Sequence, residues 1–394
     1  MSRYSQRGVS AQKEEVHQAV QHLSAGLFPH AFCKVYPDHL TGEPGWVNVS
    51  HADGAGTKSI LAYLYWKETG DISVWKGIAE DAIVMNLDDL LCVGITDRFL
   101  FSSTIDRNKH RIPGEVLSAI IEGSRSFFER MQDHGIHIEY LGGETADVGD
   151  LVRTIAVNGT LTARWPSDRI VTNEQIRPGD VIVGLSSFGT CKYEQAYNSG
   201  IASNGLTSAR HDLLAKDYAT HYPESFEASM DDAVVYTGPY KLSDPAPGMP
   251  GTTIGKLLLS PTRTFAPVLK SILDHHFAAV HGLIHCSGGG QTKCLKYLPR
   301  PLGIIKHDLF EPPPVFQLIQ QASGADDREM YQVFNMGTRL EIYVEPSVAD
   351  EIIAISNGFG VEARKIGYVL EADSSYVQID QPGKPSLRYP TQSH

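Results

Sequence analysis

Apolar residues recur along this chain in two rhythms, alternation and three-to-four spacing, and the switches between them mark out its elements. Val16, Val20 and Leu23 stand at helical spacing in a polar stretch, predicting a short amphipathic helix from Val9 to Leu23 with Ser10 as N-cap. Trp46 to Val49 reads as a strand that delivers Asp53, and Ser59 to Trp66 as the helix that follows. Between Gly77 and Gly94, Ala82, Met85, Asp89 and Cys92 recur at spacings of three and four, so a second helix sets Asp89 on a largely apolar stripe. A carboxylate there needs a partner, and structural pairing with a lysine or a loop competes with a functional role. Phe99 to Ser103 predicts a strand, and Pro113 to His134 a long helix whose Val116, Ile120, Phe127, Phe128 and Met131 face a core and which Gly135 stops. Ile136 to Leu141 is the next strand, ending in Gly142-Gly143-Glu144-Thr145-Ala146-Asp147, and Val152 to Thr162 is another.

Trp165-Pro166 and the polar run to Pro178-Gly179-Asp180 read as a domain boundary, dividing the chain into residues 1–166 and 167–394. The second half restarts with the apolar strand Val181 to Leu185, then a long polar loop from Ser186 to Asn204, a length associated with function or mobility. Residues 236–253 read as an irregular connection. Ser260-Pro261 has the N-cap and N1 pattern of a helix start, with Phe265, Val268, Leu269 and Ile272 on one face and His275 and His276 at its end. Leu283 to His285 leads into Cys286-Ser287-Gly288-Gly289-Gly290-Gln291, a third strand-end glycine cluster. Thr338 to Val344 reads as a strand, Val348 to Ile355 as a helix, and the tail from Gln381 as loose.

Composition narrows the class. With 394 residues, 42% hydrophobic and 20% charged, the chain fits a globular protein of two or three domains. A net charge of −12 with no Lys/Arg run argues against nucleic-acid binding. The five cysteines form no C-x-x-C pair, so spacing suggests neither a disulfide framework nor a zinc site. No apolar run reaches the length of a membrane span and no signal-peptide pattern opens the chain, so a cytoplasmic protein is expected.

The chemistry concentrates in the glycine clusters. His51-Ala52-Asp53-Gly54-Ala55-Gly56-Thr57-Lys58-Ser59 puts a carboxylate, glycines, a hydroxyl and an ammonium at a strand-to-helix turn, a set suited to a phosphorylated ligand and its cation. It is not a Walker A loop, because Thr57 separates Gly56 from Lys58, and a plain strand-to-helix connection competes with the functional reading. Three such clusters, two with carboxylates and none with G-x-G-x-x-G, suggest a polyphosphate bridged by Mg²⁺, with Asp53, Asp89 and Glu144 converging on ATP.

Asp53-Gly-Ala-Gly-Thr-Lys58, Asp88-Asp89-Leu90-Leu91, Gly142-Gly143-Glu144-Thr145-Ala146, Ser203-Asn204-Gly205, Ser260-Pro261-Thr262-Arg263, Ser287-Gly288-Gly289-Gly290, and Met330-Tyr331 with Phe334-Asn335-Met336-Gly337 resemble, in order, the motifs of the aminoimidazole ribonucleotide synthetase (phosphoribosylformylglycinamidine cyclo-ligase) family. The resemblance covers nearly the whole chain, and single motifs recur in formylglycinamidine synthetase, selenophosphate synthetase, thiamine-phosphate kinase and a hydrogenase-maturation protein. It implies an α/β (α+β) subunit of two domains, each a mixed β-sheet with helices: an N-terminal ATP/Mg-binding and dimerisation domain and a C-terminal substrate/phosphate-binding domain. The homodimer would pair N-terminal sheets. It further implies metal ligands Asp53, Asp89 and Glu144; ATP contacts from Gly54, Thr57, Lys58, Gly142, Gly143 and Thr145; substrate contacts from Ser203, Asn204, Gly205, Gly288, Gly289 and Gly290; and catalytic roles for Lys58, Asp89 and Asn204. In the implied reaction of purine biosynthesis ATP phosphorylates the formyl oxygen of a formylglycinamidine ribonucleotide, and the neighbouring amidine nitrogen displaces phosphate to close the imidazole ring, with ADP as the other product. Such a transfer needs positioning and charge neutralisation rather than a nucleophilic triad. Two departures stand out: Ala202 occupies the family's usual histidine position before Ser203-Asn204-Gly205, and Gln291 replaces the aromatic after the third glycine. Lys192, His211 or no residue at all would take over the role of that histidine, and an ATP-dependent phosphotransferase acting on another small molecule is the alternative function.

Overall fold

The computed structural model describes residues 6–9, 19 and 22–390. The helix expected from Val9 to Leu23 lies, apart from its ends and Ala19, outside these residues. The first sheet has five strands in the order β1-β2-β5-β3-β4: β1 Tyr36–Pro37, β2 Trp46–Gly54, β3 Phe99–Arg107, β4 Ile138–Asp147 and β5 Ile155–Pro166. Strict alternation in β3 and β5 puts Phe99, Phe101, Ile105, Val157, Leu161 and Ala163 on one buried face, covered by α1 (Lys58–Thr69), α2 (Val74–Leu91) and α3 (Gly114–Gln132). The opposite face carries Leu100, Thr104, Thr160 and Thr162 and stays partly open, with Leu100 42% exposed.

The second sheet has seven strands in the order β12-β11-β8-β10-β6-β9-β7. These are β6 Val181–Ser186, β7 Val280–His285, β8 Leu302–Lys306, β9 Thr338–Val344, β10 Ala363–Glu371, β11 Tyr376–Ile379 and β12 Leu387–Pro390. Around it lie α4 (Leu206–Leu213), α5 (Ala266–His276), α6 (Pro314–Ser323), α7 (Asp327–Val333) and α8 (Ala349–Gly358). One continuous core runs through both domains, because α5 packs on α2 and α4 on α1.

Four expectations change. β4 does not stop at Leu141 but runs through Gly142 and Gly143 after a register shift opposite Phe101 and Ser103, Gly143 lying so close to β3 that a Cβ would sit 1.9 Å from the Ser103 carbonyl. Ser260-Pro261 does not open a helix: α5 begins at Ala266, and the stretch before it spends its polar groups on the first domain. The tail from Gln381 is not loose up to Pro390, since β12 pairs with β11 and Tyr389 is buried with its hydroxyl donating to the Arg328 carbonyl. The loop from Ser186 to Asn204 is ordered around buried Arg263, whose guanidinium donates to Glu194 and to the carbonyls of Phe188 and Gly189.

Candidate active site

The end of β2 and the last turns of α2 meet the second domain, where His285 reaches Asp89 and Thr207 reaches Thr57. Asn86 joins strand and helix: its amide nitrogen donates to the carbonyls of Ala82 (2.8 Å), Asp53 (3.1 Å) and Gly159 (3.2 Å). That fixes Asp53 at the strand end, where its exposed carboxylate meets only the N–H of Gly54 at 2.7 Å. One turn along α2, Asp89 is held on both oxygens. Oδ1 lies 2.6 Å from His285 Nδ1, and Oδ2 lies 3.2 Å from His51 Nε2.

His285 has a defined tautomer. Its Nε2 lies 2.7 Å from Arg339 Nη1, a group that can only donate, so Nε2 accepts and the ring proton sits on Nδ1, pointing at Asp89. Arg339 in turn pairs with Asp88, which accepts from the Thr264 hydroxyl at 2.7 Å. Burial raises the Asp89 pKa, but the hydrogen bond donated by His285, with the Lys293 ammonium nearby, holds the carboxyl below its usual range. Asp89 is therefore an oriented anion with lone pairs left for a cation, the carboxylate–histidine pattern common around metal sites.

The second domain supplies the facing residues. Thr57 and Thr207 hydroxyls meet at 2.6 Å, bringing the Asp53–Lys58 turn against the N-terminus of α4. Just before α4, Ser203 Oγ and Asn204 Oδ1 are buried without a hydrogen-bond partner, and Asn204 Nδ2 lies 3.4 Å from where a Cβ on Gly288 would be. Orphaned buried polar atoms of this kind are costly and point to a ligand. Gly205 and Gly290 have a packing reason instead. At φ +80° a Cβ on Gly205 would sit 2.3 Å from the Phe334 ring, and at φ +49° one on Gly290 would sit 2.5 Å from the carbonyls of Tyr331 and Phe334. Gly205→Ala is expected to cost ~2–4 kcal/mol in urea denaturation, from left-handed strain plus overpacking; a cost below about 0.5 kcal/mol contradicts this. Gly289, at φ +100°, caps the turn that follows Gly288.

Several expected site residues lie elsewhere. Lys58 is not at the phosphate-facing surface: it is fully buried, its ammonium 2.8 Å from Asp81 and donating to the Ser260 carbonyl, while Thr262 N–H donates to the same carboxylate at 2.8 Å. It is an interdomain clamp, because the first turn of α1 points inward. Glu144 does not join Asp53 and Asp89 within the subunit. Asp53 pairs with Gly159, Gly159 with Ser103 and Ser103 with Gly143, so Gly143 lies three strand spacings, about 14 Å, from Asp53. Glu144 itself pairs with Thr104 on the open face of the sheet, opposite the face of Asp53. Gly142, Gly143 and Thr145 share β4 and that separation.

Lys192 is exposed on the loop around Arg263. His211 is enclosed: its ring stacks 4.5 Å from Tyr236, Nδ1 accepts the Tyr236 N–H at 3.2 Å, and burial with Arg210 and Arg7 nearby lowers its pKa to about 2, which rules out a proton shuttle near neutrality. The unfolded histidine takes up a proton near pH 6.5 while the folded one does not, so stability is lost as pH falls below 6.5. By pH 5 the loss is ~2 kcal/mol. His211→Asn, which keeps an acceptor for Tyr236, is expected to flatten that dependence in unfolding midpoints; an unchanged slope counts against it.

His51, Asn86, His285 and Arg339 were not singled out by sequence reasoning. The available signals were alternation along β2, which puts His51 on the Asp53 side, and the position of His285 directly before the third glycine cluster. Among the described residues no helix is long and apolar enough to cross a membrane.

Comparison with known proteins agrees with this architecture. Phosphoribosylformylglycinamidine cyclo-ligase of Methanothermobacter thermautotrophicus is 30% identical over 386 residues, 95% of this chain and 96% of its own. The protein of that name from Methanocaldococcus jannaschii is 30% identical over 326 residues, 82% of this chain and 78% of its own. Among solved structures, tt0281 of Thermus thermophilus aligns with a TM-score of 0.52 at 14% identity, covering 95% of this chain and 97% of that one. A chain of a HypE–HypF complex aligns with a TM-score of 0.54 at 17% identity over 96% and 98%. These structures share the fold. The model of the AIR synthase related protein N-terminal domain matches residues 35–164 and that of the C-terminal domain residues 258–380, so the chain belongs to the AIR synthase related family.

Proposed function

We propose that the chain is a phosphoribosylformylglycinamidine cyclo-ligase, closing the imidazole ring of 5-aminoimidazole ribonucleotide from formylglycinamidine ribonucleotide and consuming ATP to ADP and phosphate. Support for the reaction comes from relatives of that name matched along nearly the full chain. Support for the site comes from one observation above all: buried Ser203 Oγ and Asn204 Oδ1 lack partners beside Gly288, three residues after the His285 that holds Asp89 of the other domain. The donor set fits a nucleotide with its Mg²⁺, since Asp53 offers an exposed carboxylate oxygen and Asp89 an oriented one. ATP and Mg²⁺, when bound, supply the phosphoryl group and the charge neutralisation that make a carbonyl oxygen leave.

This chain's residues do the rest. Asn204 and Ser203 orient the ribonucleotide; Gly288 leaves room for it beside the Asn204 amide. His285 and Arg339 keep Asp89 ionised and aimed, and the Lys58–Asp81 clamp holds the domains at fixed separation. Pairing through the open face of the first sheet would give a homodimer and place Glu144 at the subunit interface; the exposed Leu100 on that face supports it. All five cysteines are free, in keeping with a cytoplasmic enzyme. The absence of a histidine at Ala202 favours a second reading, phosphoryl transfer to a different small molecule. Purified protein given formylglycinamidine ribonucleotide, ATP and Mg²⁺ separates the two, the second predicting ADP only with another acceptor. Asp53→Asn is expected to lower turnover about 10²-fold with unchanged unfolding; full activity would remove Asp53 from the site.

A further inference from the structure

Cys33, His51 and Asp89 each offer a ligand atom, and the three atoms lie within 4.8 Å of one another. The hydrogen bonds around them leave a lone pair on each of His51 and Asp89 aimed at the other. Asn86 spends its amide hydrogens on backbone carbonyls, so its Oδ1 can only accept, and His51 Nδ1, 3.0 Å away, must be the donor. His51 Nε2 then presents its lone pair to Asp89 Oδ2 at 3.2 Å. Either a proton on Nε2 or a metal ion bound by both atoms satisfies this contact. Cys33 approaches from the third side, its thiol now donating to the Asp89 carbonyl at 3.2 Å. Phe32, stacked on Tyr297 at 4.6 Å, walls this side of the site.

We propose that Cys33, His51 and Asp89 bind a divalent transition metal of the Zn²⁺ or Fe²⁺ class. Thiolate, imidazole and carboxylate together suit such an ion better than Mg²⁺, the two negative ligands neutralise its charge, and a bridging Asp89 carboxylate can serve both this ion and the nucleotide's Mg²⁺. Bond lengths of about 2.0–2.3 Å put tetrahedral ligands roughly 3.3–3.8 Å apart, so the widest pair closes by about 1 Å. His51 and Asp89 side chains are 25% and 13% exposed, so water can reach the ion as a fourth ligand. Outer partners are already present: Asn86 on His51 and His285 on Asp89. Binding is without redox change: the Cys33 sulfur gives its proton to solvent as the metal–sulfur bond forms, one proton per ion. Sequence spacing hides the site because its ligands come from a loop, a strand and a helix.

The inference does not depend on the ring-closure reading, and its test uses no nucleotide. The metal-stripped full chain is titrated with Co²⁺. The expected result is one equivalent bound, with an intense thiolate-to-cobalt band in the near ultraviolet and visible bands of a four-coordinate ion. Cys33→Ser abolishes the thiolate band, His51→Gln weakens binding at least tenfold, and Cys92→Ser, altering a neighbouring buried thiol outside the triad, leaves the band intact. Unfolding midpoints without metal identify any variant that fails to fold, and the remaining one then decides. A titration without the thiolate band, a band that survives Cys33→Ser, or equal Co²⁺ affinity in His51→Gln overturns the proposal; the first result means that a proton on His51 satisfies the contact.

Discussion

Lys58→Met is expected to destabilise the protein by ~3–5 kcal/mol, because it leaves Asp81 buried with no charge to balance it. Both side chains are fully buried, and burial pulls Lys58 down and Asp81 up from their ordinary pKa values, so neither charge tolerates the loss of the other. The effect should reach beyond the pair. Asp81 also accepts from Thr262, so its carboxylate ties α2 to the stretch that carries Arg263 and Thr264. Adding Asp81→Asn to Lys58→Met should recover more than half of the lost stability, since it removes the stranded charge. Urea denaturation of the single and double variants measures this directly. A Lys58→Met protein of unchanged stability, with a raised KM for ATP, would instead place the ammonium on the nucleotide.

Asp89→Asn is expected to lower kcat about 10²–10³-fold, the cost of removing one preorganised charge from a reacting centre. Its fold should survive, because the amide oxygen can still accept from His285 Nδ1. What disappears is the negative charge that the His285 hydrogen bond and nearby Lys293 hold in place. Arg339→Met tests the same feature one step removed. Freed from the guanidinium, His285 can move its proton to the other nitrogen, and the kcat loss should be smaller, with a loss of stability besides because buried Asp88 is left without its partner. Steady-state kinetics with unfolding midpoints separate these outcomes from loss of fold; an Asp89→Asn enzyme within threefold of wild type would exclude Asp89 from the chemistry.

Much of this site was legible in local pattern. Asp53 at a strand end and Asp89 on an apolar helical stripe follow from periodicity, and the strand that carries Asp53 also sets His51 against Asp89. The partners that define their chemistry are distant in the chain: His285 meets Asp89 across 196 residues, and Thr207 meets Thr57 across 150. Periodicity carries no information about such pairs. Lys58 was misplaced because a glycine-rich turn followed by lysine looks the same whether the first helical turn points outward or into a domain interface. Glu144 was misplaced because a glycine pair reads as a strand end, whereas here it continues β4 through a register shift and turns the carboxylate to the other face. Ser260-Pro261 reads as a helix cap for a similar reason: hydroxyls that cap helices also bond a neighbouring carboxylate, as Thr262 and Thr264 do.

Ring closure at the expense of ATP, where the two domains meet, is the activity we propose for this chain. Purified protein incubated with formylglycinamidine ribonucleotide, ATP and Mg²⁺ should form aminoimidazole ribonucleotide and ADP in equal amounts, and Asn204→Ala should slow both together by at least tenfold. ADP released without the imidazole product, or product formation that Asn204→Ala leaves untouched, would contradict it.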